Sequence, residues 1–150
     1  MLTKRDIEIV QSDWEKVEPV AETAARLLYD RLFVLDPSAR SLFPADIADQ
    51  RRKLVRMIGA AVYGLANPEI LMPLVRFLGR KHVRFGVRDE HYDTVGAALL
   101  WTLKQELGPA FGPESEAAWS RVYAVLVEAM RSADDAEAGG GEAPGDPSDA

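Results

Sequence analysis

Apolar residues recur every three or four positions along most of this chain, the spacing of helices with one buried face. Ile7, Val10, Trp14 and Val17 set the first such stripe, opened by the capping pair Thr3 and Asp6 and carried to about Lys16. Pro19 suits the start of a second helix, which runs to about Phe33 through Leu27, Leu28, Leu32 and Phe33. Asp36-Pro37 is a cap and first turn for a short helix that ends near Phe43 and is stopped by Pro44. A fourth helix spans about Ile47 to Leu65, with Leu54, Ile58, Ala61 and Leu65 on one stripe. Gly59 inside it costs about 1 kcal/mol relative to Ala, which close approach to another helix would explain. Asn67-Pro68 ends that segment, and Ile70 to Val83 is helical with an interruption at Pro73 and a closing Gly86. The last two helices run from about Asp89 to Leu107 and from Pro113 to Ser132, with stripes Tyr92, Val95, Leu99, Leu103 and Trp119, Val122, Leu126, Met130. No period-two alternation of useful length appears, and no internal repeat. The pattern predicts an all-α fold of about seven helices over residues 1–132.

Charge changes the picture at one end. After Ser132 the chain carries Asp134, Asp135, Glu137, Glu142, Asp146 and Asp149 and no base. Without these six, the remaining 18 acids match the 18 Lys and Arg, so the whole excess of −6 sits there. Residues 133–150 also lack any large apolar side chain, so burial cannot offset the entropy of ordering them. A disordered acidic C-terminal tail is expected. The neutral body shows no basic face, so nucleic acid is not an expected partner. No long uncharged run suggests a membrane span, and the charged N-terminus lacks a secretory core, so a cytoplasmic protein is expected. The chain has no cysteine, which excludes disulfides, zinc-thiolate sites and a thiolate haem ligand.

Candidate chemistry is sparse. There is no phosphate-binding glycine loop, no paired-histidine zinc motif and no calcium loop. With no strand, a serine in a strained strand-to-helix turn has nowhere to sit, so triad hydrolysis is unsupported. Two histidines remain. His91 begins a helix beside Glu90 and is expected to be exposed. His82 lies in Phe77-Leu78-Gly79-Arg80-Lys81-His82-Val83, near the end of an apolar helical stretch. A neutral imidazole in an apolar pocket is what a haem iron needs as an axial ligand, although a lone helical histidine is more often structural.

Several positions fall into register with His82. Tyr29 shares a helix face with Phe33, Phe43 ends the short third helix, and Gln50 and Leu54 project from one face four residues apart. With Asp36-Pro37, with Tyr92 ten residues after His82, and with Trp119 and Tyr123, this order resembles the globin fold. It is most similar to single-domain bacterial globins related to the haem domain of flavohaemoglobins, over residues 1 to about 132. The resemblance implies haem b as cofactor and His82 as the proximal iron ligand. It implies Tyr29 and Gln50 as distal hydrogen-bond donors to bound dioxygen, Phe43 packed on the haem plane and Leu54 limiting the distal space. Leu78, Val87 and Val95 would line the proximal side, and Lys53, Arg80 and Arg84 would meet the propionates. Tyr92 would support His82 from behind, with Asp134 at the position where flavohaemoglobins carry a glutamate.

The resemblance thus implies a haem protein that binds dioxygen and other diatomic gases tightly and can convert nitric oxide to nitrate. Flavohaemoglobins re-reduce the haem with an attached flavin domain. This sequence contains none, so a separate reductase is the expected partner. Two other readings stay open: a gas sensor acting through a separate partner, and a haem-free globin-like interaction module.

Overall fold

The computed structural model describes the backbone of residues 2–140 and side chains through residue 132. Among the described residues there are six α-helices and three short 3-10 segments, and no strand. The helices are α1 (Lys4–Val17), α2 (Ala21–Leu35), α3 (Ala48–Gly64), α4 (Pro68–Arg84), α5 (Asp89–Leu107) and α6 (Pro113–Gly140). The short helix expected at Asp36-Pro37 is the 3-10 segment Pro37–Leu42.

Local chemistry explains most boundaries. Thr3 accepts the Asp6 N–H through Oγ1 at 3.0 Å, and Asp6 returns a carboxylate to the Thr3 N–H at 3.1 Å, a complete capping box. Asp36 Oδ1 accepts the Ser38 N–H at 3.1 Å and so opens its segment. Gly86, at φ 84°, supplies the left-handed turn after α4 that a side chain would resist. Pro73 does not interrupt α4, contrary to expectation. It stands early in the helix, facing solvent, where its missing N–H frees only the carbonyl of exposed Glu69. The last helix runs past Ser132 to Gly140. The rest of the expected tail lies outside the described residues, as do all side chains from 133 onward, Asp134 included.

One apolar cluster unites the helices. Val10, Trp14 and Val17 of α1, Leu28, Tyr29 and Leu32 of α2, Leu99 and Leu103 of α5, and Trp119, Val122 and Met130 of α6 are buried in it. Among the described residues three polar links cross between α1 and α6, one of them the exposed pair Arg5–Glu114. Buried Asp13 accepts the Trp119 indole N–H at 3.0 Å, and Arg121 grips buried Asp6 through Nε and a terminal nitrogen at 3.1 and 2.6 Å. Glycines mark the closest approaches. A Cβ on Gly59 would sit 3.3 Å from the Trp14 indole nitrogen, so the expected helix contact is present there. A Cβ on Gly79 would lie 2.5 Å from the Met130 carbonyl oxygen, so α4 and α6 meet backbone to backbone. No helix among the described residues is long and apolar enough to cross a membrane.

Candidate functional site

Two groups of side chains form around the consecutive helices α3 and α4. The first is built by α2, the segment after it and α3. Tyr29 is 4% exposed on the inner face of α2. Its ring meets Phe43 edge-on at 5.4 Å and Phe33 at 6.0 Å, while Phe33 and Phe43 meet at 5.8 Å. Arg40 fixes the corner that presents Phe43, donating to the carbonyls of Phe43, Pro44 and Ala45 at 3.3, 2.8 and 2.7 Å. Burial pushes the Tyr29 hydroxyl up to about 12, and only partly do the Gln50 side chain and the Arg51 charge oppose it. The phenol therefore keeps its proton across the physiological range and can only donate or accept as a neutral group. Leu54 packs partly buried against the core and borders a small apolar cavity with Leu28, Trp14 and Leu99.

The second group is built by α4 and α5. His82 Nδ1 lies 3.3 Å from the Tyr92 hydroxyl, with ring centroids 5.9 Å apart. Burial holds the imidazole below its ordinary range, which favours the neutral ring. Beyond the Tyr92 contact, no hydrogen bond or ion pair to His82 side-chain atoms occurs among the described residues, so Nε2 is left without a partner there. The His82 carbonyl takes the Val87 N–H at 2.9 Å and thereby folds Val87 back under the helix end. Leu78, Val87 and Val95 are partly buried against the common core.

Tyr92 is itself anchored from α6. The Tyr123 hydroxyl donates to the Tyr92 carbonyl at 2.6 Å, and burial pushes its pKa above the ordinary tyrosine value. Room for that ring comes from Gly96, whose Cβ would fall 2.7 Å from it. The Arg131 guanidinium lies 5.8 Å from the Tyr92 ring centroid. Sequence reasoning misses the hydrogen bond of Tyr123. An unexplained glycine inside α5 is the one available signal, because Gly in a helix asks for a close neighbour.

The rim residues separate. Lys53 and Arg80 are half-buried and Arg84 is exposed. Lys81, unremarked in the sequence, is 6% exposed with its ammonium 5.1 Å from the Phe77 ring centroid. His91 corrects an expectation: it is buried at 7% exposure, because Nδ1 accepts the Arg88 N–H at 2.8 Å at the start of α5.

The donor set can be tested against the implied cofactor. Among the described residues no three His, Cys, Asp or Glu converge in a metal cage. A porphyrin brings four nitrogens of its own and asks the protein for one neutral imidazole, which His82 offers at Nε2. An apolar wall of aromatic and aliphatic side chains beside it also fits. The residues present suit haem.

The globin family model matches residues 26–130. This chain is a globin. It is 34% identical over 131 residues to a flavohemoprotein of Rhodopirellula baltica and 31% identical over 133 residues to one of Bacillus subtilis. These alignments take in 85% and 87% of this chain but 32% and 33% of those proteins, so it spans about a third of their length. Neuroglobin of Danio rerio is 29% identical over 143 residues, covering 86% of this chain and 90% of that one. An engineered carbene transferase from Rhodothermus marinus, named as a candidate nitric oxide dioxygenase, superposes with a TM-score of 0.82. It covers 95% of this chain and 100% of its own at 24% identity, a likeness of fold. Membership supports haem and dioxygen binding by this globin.

Proposed function

We propose that this globin binds haem b through His82, holds dioxygen between Tyr29 and Gln50, and converts nitric oxide to nitrate with electrons from a separate reductase. The observation that carries the reading is His82 itself: largely buried, neutral, with Nδ1 engaged by Tyr92 and Nε2 left open. Haem, if held there, would supply the iron chemistry for binding dioxygen and for its reaction with nitric oxide, with re-reduction left to the reductase. Everything else is the work of side chains. The Tyr92 hydroxyl orients the His82 ring by accepting from Nδ1–H, which leaves Nε2 as the ligating atom and raises its basicity. Tyr29, protonated up to about 12, and the Gln50 amide present donors toward the opposite side. In a dry pocket such donors favour a ligand that gathers negative charge. Phe43 and Leu54 exclude water and keep the space narrow. Lys53, Arg80 and Arg84 are proposed partners of the propionates at the rim. The proposed functional unit is the globin domain of residues 1–132.

The flavohemoproteins are about three times longer, and their name couples a flavin to haem. That supports a flavin-bearing reductase as the source of electrons. The test begins with an absorption spectrum: purified protein should show a Soret band that His82→Ala abolishes. Rapid mixing of the oxygenated protein with nitric oxide should then give stoichiometric nitrate and ferric protein. A wild type without a Soret band would overturn haem binding, and oxygenated protein inert to nitric oxide would overturn the dioxygenase.

A further inference from the structure

His91 stands where the supports of the two halves of the site meet. Its side chain is 8% exposed, although its neighbour Glu90 faces solvent. Each ring nitrogen faces a defined group. Nδ1 accepts the Arg88 N–H at 2.8 Å while the His91 N–H donates to the Arg88 carbonyl at 3.0 Å, a reciprocal clamp on the first turn of α5. A nitrogen that accepts carries no proton, so the neutral ring bears its hydrogen on Nε2. Nε2 in turn lies 3.9 Å from Asp36 Oδ2, beyond hydrogen-bond length, so the polar N–H side of the ring faces the carboxylate across a short gap. The other Asp36 oxygen, Oδ1, accepts the Ser38 N–H at 3.1 Å and the Ser38 hydroxyl at 2.5 Å. It thereby opens the segment Pro37–Leu42, which ends at Phe43.

We infer that His91 is a positioning residue that ties the turn aiming Tyr92 at His82 to the capped segment delivering Phe43 to Tyr29. One imidazole thus sets the relative placement of both halves of the site without touching a reacting atom. Its functional meaning rests on the haem reading above; the link itself rests on the Arg88–His91–Asp36 geometry.

The test is amide hydrogen exchange on the full-length protein as purified. In His91→Leu, exchange should quicken about fivefold at both the Tyr92 and the Phe43 amide, the range expected for a coupling carried through packed elements. His91→Gln, whose amide can accept from Arg88 and donate toward Asp36, should restore both. If Tyr92 quickens and Phe43 does not, His91 is a local cap and the link is wrong. Asp36→Asn keeps the hold on Ser38 while removing the charge that faces Nε2, and should quicken the Tyr92 amide; an unchanged Tyr92 amide overturns the link even where His91→Leu does not fold. On haem-loaded protein, His91→Leu should speed dioxygen release about threefold and shift the iron–histidine stretching band, with recovery in His91→Gln. A lowered melting temperature with both of these unmoved would mark a purely structural role. Absence of a Soret band in wild type would defeat the haem reading alone, because the exchange results stand without it.

Discussion

Tyr29 shows how burial turns an ordinary side chain into a committed donor. The folded phenol keeps its proton to about 12, whereas an unfolded one releases it near 10. That difference has two outcomes. The dioxygen dissociation rate should be flat from about pH 6 to 9, because Tyr29 does not titrate there. Stability should fall as pH rises past about 10, since the unfolded state then gives up a proton that the folded state holds. On the proposed distal role, replacing Tyr29 by Phe would remove a hydrogen bond to a charged acceptor worth about 1.5–3 kcal/mol, so dissociation measured by flash photolysis or stopped flow should quicken about tenfold or more. Tyr29 and His82 are visible in the sequence because each stands on a helix face whose period is easy to count, and Phe43 because Pro44 marks the end of its segment. His91 is not. Glu90 beside it suggests exposure, but what buries it is a backbone N–H three residues back and a carboxylate more than fifty residues upstream.

Among the elements, α4 is held most directly. Its Gly79 faces the Met130 backbone of α6, and His82 sits one turn further along the same helix. Gly79→Ala should destabilise the protein by about 2 kcal/mol, because a rigid backbone cannot yield the way a side chain can. The same variant should displace His82 and shift the haem absorption bands, a comparison that urea titration and a spectrum can make side by side. Gly59 makes a useful contrast, since its neighbour is the Trp14 side chain at 3.3 Å. The helices themselves are legible almost end to end in the sequence. What sequence cannot supply is which face meets which: Pro73 reads as a break until its carbonyl partner is seen in solvent, and Tyr123 reads as a stripe residue until its hydroxyl is found on the Tyr92 carbonyl. Tyr123→Phe should cost about 1 kcal/mol through that lost bond, readable as a lower urea midpoint.

At the scale of the molecule, Asp6 and Arg121 join helices 115 positions apart in sequence. The Arg121 guanidinium and the Thr3 backbone hold the Asp6 carboxyl well below the usual carboxylate range. Such a group stabilises the fold above its unfolded pKa of about 3.8, and that contribution is lost as pH falls below it. Asp6→Asn should therefore lower the melting temperature at pH 7, and the gap to wild type should narrow progressively as pH falls below about 4. Calorimetry across that range would show it, and a constant gap would contradict the assignment. The family is legible at this scale too, since six side chains spread over four helices and one connecting segment fall in order only when the chain folds as a globin.

The backbone contact at Gly79 has a mechanical consequence. With α4 braced against α6, the wall that carries His82 has no travel. The facing wall is built differently: α3 buries only Val62 fully. On the proposed reading, α3 is the wall more free to adjust to what the pocket holds, while the helix that carries His82 stays fixed.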